Sequence, residues 1–429
     1  MILALAIALA AQVAGSAPAG DTVVVIRDAV VIPMDGDTAV RLPHHSVVVR
    51  DGRVAWLGPD SMLPAVADAR VIDAGGRFLM PGLMDMHAHV SESYLPLFLA
   101  NGITTVRDMN GRPATLALRE RVRAGAVAGP RIVAGTPLLT GASWPVPHVV
   151  VPDADSARAL TRTIAAAGYD FIKIYDGLDS ASYRVLVEFA RSSGLRVTGH
   201  IPQALGLEGV LAAGQDLEHV EKIVWATVGH AFDAARIPGI AAQVAQAGVW
   251  VTPTLFSQQV LTRQGSAEFA AYFERPEIRY VDEGTLAWWR TLRRSGAAAP
   301  QDPAGTGARL HAFQRALVLA LFHAGVPLLL GTDTPNPLVV PGFGIHDEIA
   351  ALVDAGMPVY DVLRAGTARA GEWIGGASVS GVVREGGVAD LLLLRHDPLL
   401  DPATLRRPDA VLANGRVLDR AALDALLVR

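Results

Sequence analysis

Two histidines separated by one residue stand in the stretch MDMHAHV, residues 84–90. Side chains of a β-strand alternate between its two faces, so His87 and His89 project to one side while Ala88 points away. Such a pair can hold a divalent cation through two imidazole nitrogens. A surface strand could carry the same pair as ordinary polar positions, so the motif needs support from the rest of the chain.

Ionisable residues also stand in or at the ends of other apolar stretches, and each has an ordinary structural explanation when taken alone. They are Lys173 in FIKIY, His200 in RVTGH, His219 in DLEHV and Asp333 in PLLLGTD. Lys173 is the sharpest case, because burying an ammonium between two isoleucines is costly unless the charge is neutralised or paired. A neutral lysine amine can react with CO2 to give a carbamate, which is an anionic oxygen donor able to bridge two metal ions.

Residues 81–374, which carry all these positions, read as apolar strands alternating with Ala- and Leu-rich stretches of helical period. This alternation is typical of a parallel sheet or barrel. The strand candidates are GLMDMHAH, ITTVRDM, RIVAGTPLL, FIKIY, RVTGH, DLEHV, VWVTPTL and PLLLGTD. Eight is the strand number of a (β/α)8 TIM barrel, in which the carboxyl ends of the strands converge on one catalytic mouth. The pattern predicts an α/β fold that gathers the six candidates there.

The two ends of the chain have a different pattern. Short β-branched runs with turn signals fill residues 21–80, and similar runs recur in 375–429. Asp51-Gly52 and Asn414-Gly415 are typical hairpin turns. We therefore expect both ends to form one small β-sandwich domain, with the barrel inserted between them. Residues 1–20 have an apolar core and small residues near a cleavage pattern, which predicts a signal peptide and a secreted or periplasmic protein.

Composition limits the classes of ligand. The 429 residues are 51% hydrophobic with a net charge of −5 and no run of five like charges, so we expect a small-molecule substrate, no nucleic acid and no stable membrane insertion. The chain has no cysteine, which excludes thiolate ligands and leaves His, Asp, Glu or a modified Lys for a metal. The sequence leaves a homo-oligomer open.

The sequence resembles the amidohydrolase superfamily, and most closely its imidazolonepropionase-like and Xaa-Pro dipeptidase (prolidase)-like branch. The matching stretches cover nearly the whole chain after the leader. They are PGLMDMHAH, GITTVRDMNG, YDFIKIYDG, VTGH, LEHVE, LLLGTDTP, HDEIAALVDAGM, and VADLLLL followed by ANGRV.

This resemblance implies a binuclear metal centre. Positions matching His87, His89, a carbamylated Lys173 and Asp333 hold one ion in binuclear relatives, and those matching His200, His219 and the shared carbamate hold the other. The bridging lysine is not used in mononuclear relatives such as imidazolonepropionase, so Lys173 favours the binuclear group. Two divalent ions, with zinc favoured by the imidazole ligands, would provide a bridging hydroxide. Asp333 would act as the catalytic base and then as the acid.

The expected reaction is hydrolysis of an amide or peptide bond, with an Xaa-Pro dipeptide or N-acyl amino acid as substrate. Hydrolysis of a cyclic amide, deamination, and lactone or ester hydrolysis are the alternatives. His148, in the loop TGASWPVPH, and Tyr175, which shares the face of Lys173, are the candidate substrate-binding residues. The long excursion from Phe256 to Phe322 has the length of a helical lid.

Overall fold

The computed structural model describes residues 23–428 except 265, 299–304 and 376–379, and it leaves out the side chains of 292–298. The predicted signal peptide, residues 1–20, lies outside the described residues. The strands are β1 (Val23–Val31), β2 (Leu42–Arg50), β3 (Arg53–Pro59), β4 (Arg70–Asp73), β5 (Phe78–Pro81), β6 (Leu83–Ala88), β7 (Ile103–Asp108), β8 (Arg131–Ala134), β9 (Leu138–Thr140), β10 (His148–Val150), β11 (Phe171–Ile174), β12 (Arg196–Gly199), β13 (Asp216–Glu218), β14 (Val251–Thr252), β15 (Leu391–Leu394), β16 (Ala410–Ala413) and β17 (Arg416–Asp419).

The α-helices fall mainly between the central strands, as the alternating pattern predicts. They are α1 (Leu95–Ala100), α2 (Pro113–Arg123), α3 (Ala154–Ala167), α4 (Ser180–Ser193), α5 (Gly206–Ala212), α6 (Val220–Thr227), α7 (Ile237–Ala247), α8 (Leu255–Leu261), α9 (Ala267–Ala271), α10 (Glu283–Ala298), α11 (Thr306–His323), α12 (Gly344–Asp354), α13 (Val359–Ala365), α14 (Ala368–Gly375) and α15 (Arg420–Ala425). In the part of the chain that the structure describes, no helix combines the length and apolar character needed to cross a membrane.

Strands from both chain ends share one eight-stranded sheet. Its order is β17-β16-β15-β5-β1-β2-β3, with β4 pairing beside β1. Strand β5 pairs antiparallel with β15, which brings Leu79 opposite Leu393. Valine, isoleucine and leucine side chains of this sheet, such as Ile26, Val47 and Leu391, are fully buried and form a core of their own. Burial of these apolar side chains holds the two distant segments together.

The central strands are parallel and form two hydrogen-bonded groups. One has the order β6-β7-β8 and the other β10-β9-β11-β12-β13-β14. Isolated parallel bridges continue the pairing: Gly135 to Phe171 joins the two groups, Val251 pairs with Leu328, and Ala88 pairs with Thr334. The stretch 327–333, expected as the eighth strand, therefore forms no regular ladder, and isolated bridges occur only at Leu328 and at Thr334, the residue after it, among the described residues.

Capping residues fix where the helices begin and end. Asp153 begins α3 by accepting a hydrogen bond from the backbone N–H of Ser156 at 2.7 Å, and Asp179 begins α4 in the same way. Gly168 ends α3 with a φ of 77°, a left-handed conformation that costs glycine little. Strand β11 begins at Phe171, three residues after Gly168, so this strand follows the helix end closely.

Candidate active site

A cavity of about 430 Å³ lies where the central strands end. The structure brings all six predicted metal ligands to its wall. They are His87, His89, Lys173, His200, His219 and Asp333. They come from β6 or the end of that strand, from β11, from the residues following β12 and β13, and from the irregular stretch 328–334. Side chains that are far apart in the sequence therefore face one space.

The centre of the cluster is a carboxylate surrounded by imidazoles. Donor atoms of His87, His219 and Asp333 all lie within 4.8 Å of one another. Oδ1 of Asp333 is 3.4 Å from Nε2 of His87 and 3.2 Å from Nε2 of His89. The rings of His87 and His219 have centroids 4.5 Å apart. This donor set fits a divalent cation that accepts nitrogen and oxygen ligands.

Three histidines of the cluster, His87, His200 and His219, are held in the neutral form that binds metals. Burial lowers the pKa of His87 to about 4 and that of His200 to about 3, and the nearby Lys173 charge acts in the same direction. Burial also holds the pKa of His219 well below its usual value. At neutral pH the imidazole lone pairs are therefore available as ligands.

Lys173 is the residue whose environment is hardest to explain without a ligand. Its side chain is 1% exposed, and its Nζ has no hydrogen-bond partner among the described residues. Burial lowers the pKa of this amine to about 8, although the carboxylates of Glu218 and Asp333 act against the shift. A buried, unpartnered amine beside histidines and a carboxylate fits conversion to a carbamate that takes part in metal binding.

Glu218 is a functional candidate that the sequence reasoning missed. Its Oε2 lies 2.7 Å from Nδ1 of His87, while its Oε1 accepts hydrogen bonds from Arg107 and Thr198, both at 2.5 Å. An acceptor at Nδ1 fixes the proton on that nitrogen and turns Nε2 towards Asp333. An acidic residue inside the apolar DLEHV strand, next to a candidate ligand, was the available signal.

His200 and His219 also have polar partners at Nδ1, which orient their rings. Nδ1 of His200 lies 3.2 Å from Oδ2 of Asp176, and the ring of Tyr175 packs on His200 with centroids 4.1 Å apart. Nδ1 of His219 lies 2.8 Å from the hydroxyl of Thr254, which donates its own hydrogen to the Pro253 carbonyl at 2.8 Å. Because that hydroxyl has one hydrogen, it accepts from Nδ1–H of His219, and Nε2 is left free.

Asp333 has an unusual backbone that delivers its carboxylate to the cluster. Its φ is 63°, and the preceding Gly331 packs so closely that an added Cβ would lie 2.8 Å from the backbone nitrogen of His87. Asn336 donates a hydrogen bond to Oδ2 of Asp333. Burial alone would raise the pKa of Asp333, but the histidines His87 and His89 outweigh it and hold the pKa below its usual value.

The two predicted substrate-binding residues lie in different surroundings. Tyr175 lines the cavity, with its ring edge-on to Trp144 at 5.7 Å between centroids. His148 is not among the described residues that line the cavity. Its ring nitrogens lie 2.6 Å from the Val146 carbonyl oxygen and 3.4 Å from the Trp144 backbone nitrogen. A substrate contact by either residue stays a prediction.

The long excursion after β14 forms helices that reach the cavity. Gln258 and Leu261 of α8 and Trp288 of α10 contribute to its lining. The neighbouring Trp289 is fully buried and donates a hydrogen bond to the Pro335 carbonyl at 3.1 Å. Leu261 and Trp288 therefore give the cavity two apolar side chains from this excursion.

The chain belongs to the amidohydrolase family, whose model matches residues 78–418. An imidazolonepropionase from Paracoccus denitrificans is 28% identical over 325 residues, which are 69% of this chain and 74% of that protein. The solved structure of a bottromycin amidohydrolase has a TM-score of 0.75 at 29% identity and covers 94% of this chain and 89% of its own. A Xaa-Pro dipeptidase structure with bound methionine in its active site has a TM-score of 0.69 at 19% identity, covering 92% of this chain and all 100% of its own. The chain is therefore a hydrolase of the amidohydrolase superfamily with a TIM-barrel-type α/β fold.

Proposed function

We propose that this protein is a binuclear metal-dependent hydrolase that cleaves the amide or peptide bond of an N-acyl amino acid or an Xaa-Pro dipeptide. The observation that carries the proposal is the buried Lys173 amine, which has no hydrogen-bond partner among the described residues and lies among four histidines and the carboxylate of Asp333. A mononuclear site would leave this amine without a role. As a carbamate it would give both metals an oxygen ligand.

The division of the ligands between two ions is the one that the resemblance to binuclear relatives implies. His87, His89, the Lys173 carbamate and Asp333 would hold one ion, and His200, His219 and the same carbamate the other. To form the carbamate, the neutral amine adds to CO2, which makes one N–C bond and releases one proton to solvent. Zinc is the ion that this imidazole-rich set favours. When bound, two such ions would supply an activated water and polarise the scissile carbonyl.

The remaining work belongs to side chains of this chain. Asp333 takes the proton released as water attacks and passes it to the departing amine, first as a general base and then as a general acid. Asn336 keeps the Asp333 carboxylate oriented through its hydrogen bond to Oδ2. Glu218 keeps Nε2 of His87 facing the cluster. The apolar lining from α8 and α10 would limit access of bulk water to the reacting bond.

The proposal includes the architecture expected from the sequence. We infer that the strands of residues 81–374 form a closed (β/α)8 barrel, supported by the parallel bridges from Val251 to Leu328 and from Ala88 to Thr334. The strands of 21–80 and 375–429 would form the small β-sandwich domain, supported by their common sheet.

Export to the periplasm or the medium is the proposed location, and it rests on the sequence pattern of residues 1–20 alone. Sequencing the N-terminus of the protein recovered from its native compartment should give a start near residues 16–21. A soluble enzyme that keeps Met1 would contradict export.

The likeness to an imidazolonepropionase favours a second candidate, hydrolysis within a ring, which opens the substrate without releasing an amine. One panel separates the two candidates. Zinc-loaded enzyme is offered dipeptides, N-acyl amino acids, cyclic amides and lactones, and both free amine and new carboxylate are measured. Amine release matched by carboxylate from acyclic amides supports the proposal. Turnover confined to cyclic amides or lactones would contradict it.

A further inference from the structure

The two lysines of this chain both face the candidate active site. Lysine occurs at residues 173 and 222 among 37 lysine and arginine residues, so arginine fills all the other basic positions. Both lysines line the cavity. The two side chains are not interchangeable, because lysine is a compact ammonium with three rotatable donors and arginine is a broad, planar fork. The proposed function uses Lys173 and leaves Lys222 without a role.

Lys222 lies close to the histidine cluster. It stands on α6 three residues after His219, and its side chain is 23% exposed. Its Nζ is 3.4 Å from Oδ2 of Asp176, and the same oxygen is 3.2 Å from Nδ1 of His200. One carboxylate therefore separates this ammonium from an imidazole that would hold a metal.

The ammonium of Lys222 makes only long contacts with the neighbouring carboxylates. The distance of 3.4 Å to Asp176 and that of 4.0 Å to Oε1 of Glu221 both exceed the roughly 2.7–2.9 Å of a strong ammonium–carboxylate hydrogen bond. Glu221 also accepts a hydrogen bond from the indole of Trp225 at 2.7 Å. The ammonium has three donors, so it can bind a further anion without losing Asp176.

Substrate geometry selects Lys222 over the other cation on the wall of the cavity. In an N-acyl amino acid the carboxylate carbon is three bonds from the scissile carbonyl carbon, so its binding group must stand beside the metals. Arg112 also lines the cavity, but it is exposed and lies at the start of α2. Lys222 is one carboxylate away from His200, a candidate metal ligand, and it is less exposed than Arg112.

We propose that Lys222 binds the α-carboxylate of the substrate and makes the enzyme selective for amides whose nitrogen belongs to a free amino acid. This inference rests on the proposed function, because it names the substrate class of the same site. The ammonium contacts the carboxylate and takes no part in proton transfer. Lys222 is thus a specificity-determining residue.

Lys222→Met tests the inference, since the methionine side chain is also unbranched and of nearly the same length but carries no charge. The substrates are the acyl amino acid that wild-type zinc enzyme hydrolyses fastest and its C-terminal carboxamide. We expect kcat/KM for the acid to fall roughly 10- to 100-fold, mainly through KM, as for loss of a charged hydrogen bond. For the carboxamide it should change less than about 3-fold. Lys222→Arg, which keeps the charge, should recover part of the loss. Arg191→Met, on the exposed side of α4, serves as the matched control.

Binding of the free amino acid product, measured by calorimetry, gives a second readout that requires no turnover. It should weaken in Lys222→Met while the zinc content stays at the wild-type value. Equal losses for acid and carboxamide together with lost zinc would show that Lys222 acts through Asp176 and His200, and would overturn the inference alone. Wild-type enzyme that cleaves the carboxamide as well as the acid would also overturn it. A wild-type protein that binds no zinc and cleaves no acyl amino acid would overturn the proposed function first.

Discussion

At the scale of single residues, the environment of Lys173 is the observation that best distinguishes a binuclear from a mononuclear metal centre. Its amine is buried and has no hydrogen-bond partner within the described part of the chain, so a lone ammonium there would be costly. Replacing Lys173 with Ala should lower the metal content from about two ions per chain and reduce activity with it. Bicarbonate with a short-chain acid should partly restore both, because the acid can occupy the place of the carbamate. Metal analysis of the purified proteins checks this prediction.

Lys173→Arg is the matched control, since it keeps a cation but offers no amine for CO2 and should not be rescued. A wild-type protein that holds one ion and shows no carbamate signal by 13C NMR after exchange with 13C-bicarbonate would contradict the binuclear centre. The proposal of metal-dependent hydrolysis would survive that result in a mononuclear form.

Asp333 separates metal binding from proton transfer. Asn at this position keeps the size and one ligating oxygen but removes the base. We expect Asp333→Asn to retain most of its metal while kcat falls by roughly 10²- to 10⁴-fold. His87→Ala should instead lose metal and activity together, because a ligand nitrogen is gone. Near-normal kcat of Asp333→Asn on an amide substrate would show that another group protonates the leaving amine.

At the scale of elements, the start of α8 connects the candidate site to helix α12. Both oxygens of Glu348, on α12, accept backbone N–H bonds from α8, at 2.9 Å from Leu255 and 2.7 Å from Phe256. The residue before this helix, Thr254, has a φ of 49° and holds His219 through its hydroxyl. The position of α8 therefore sets the orientation of the His219 imidazole ring.

Removing either end of this connection should weaken zinc binding. We expect Thr254→Val and Glu348→Gln each to lower zinc affinity by roughly 10- to 100-fold, as for other groups that orient metal ligands. Competition with a chelating dye measures the affinity, and thermal unfolding reports the fold. Asp347→Asn and Thr367→Val are the matched controls, because the side chains of these two residues bond elsewhere: Asp347 pairs with Arg275 and Arg406, and Thr367 donates to the Leu363 carbonyl. Unchanged affinity in both variants would contradict this connection.

Element boundaries show what the sequence could predict. The apolar runs predicted to end at His89, Met109 and His200 are strands that end one residue earlier in the structure. They could be predicted because the apolar pattern lies within each run itself. The run RIVAGTPLL is split into β8 and β9, and the glycine and proline inside it are the local reason. The run PLLLGTD was expected as a regular strand, but Gly331 and the positive φ of Asp333 leave it with isolated bridges.

The candidate site could likewise be predicted only in part. Placement of His87 and His89 on one face follows from the period of two, and the same rule puts Asp85 there. Asp85 accepts a hydrogen bond from the Thr332 hydroxyl at 2.7 Å and so ties β6 to the stretch that carries Asp333. The partners of Glu218 could not be predicted, because they lie on three other strands or strand ends and depend on the barrel being assembled.

At the scale of the whole molecule, the small sheet is continuous with the site. Strand β5 leads into β6 through Gly82 alone, and a Cβ at that position would overlap the side chain of Thr104. The Gly82 backbone N–H donates to the Asp390 carbonyl at 2.8 Å, and Asp390 also pairs with Arg131 at 3.2 Å. The sheet formed by the chain ends thus fixes the strand that carries His87.

Stability of the whole molecule should depend on pH through His346, which lies on α12 away from the cavity. Both of its ring nitrogens are buried without a hydrogen-bond partner among the described residues. Burial, with Arg406 acting in the same direction, holds its pKa well below the usual value. Unfolded chains protonate this histidine below about pH 6.5 while the folded protein does not. Its contribution to stability is therefore complete above that pH and is lost as the pH falls towards the lowered value.

Replacing His346 with Leu removes the titrating group. On metal-free protein, the drop in unfolding free energy between pH 7 and pH 5 should become smaller in His346→Leu than in wild type, by up to about 2 kcal/mol. Urea unfolding at the two pH values measures both drops, and a chelator in all samples keeps release of metal from contributing. His396→Leu, at an exposed position, should leave the wild-type drop unchanged. An equal drop in wild type and His346→Leu would show that this histidine is protonated in the folded protein, against the direction that its burial implies.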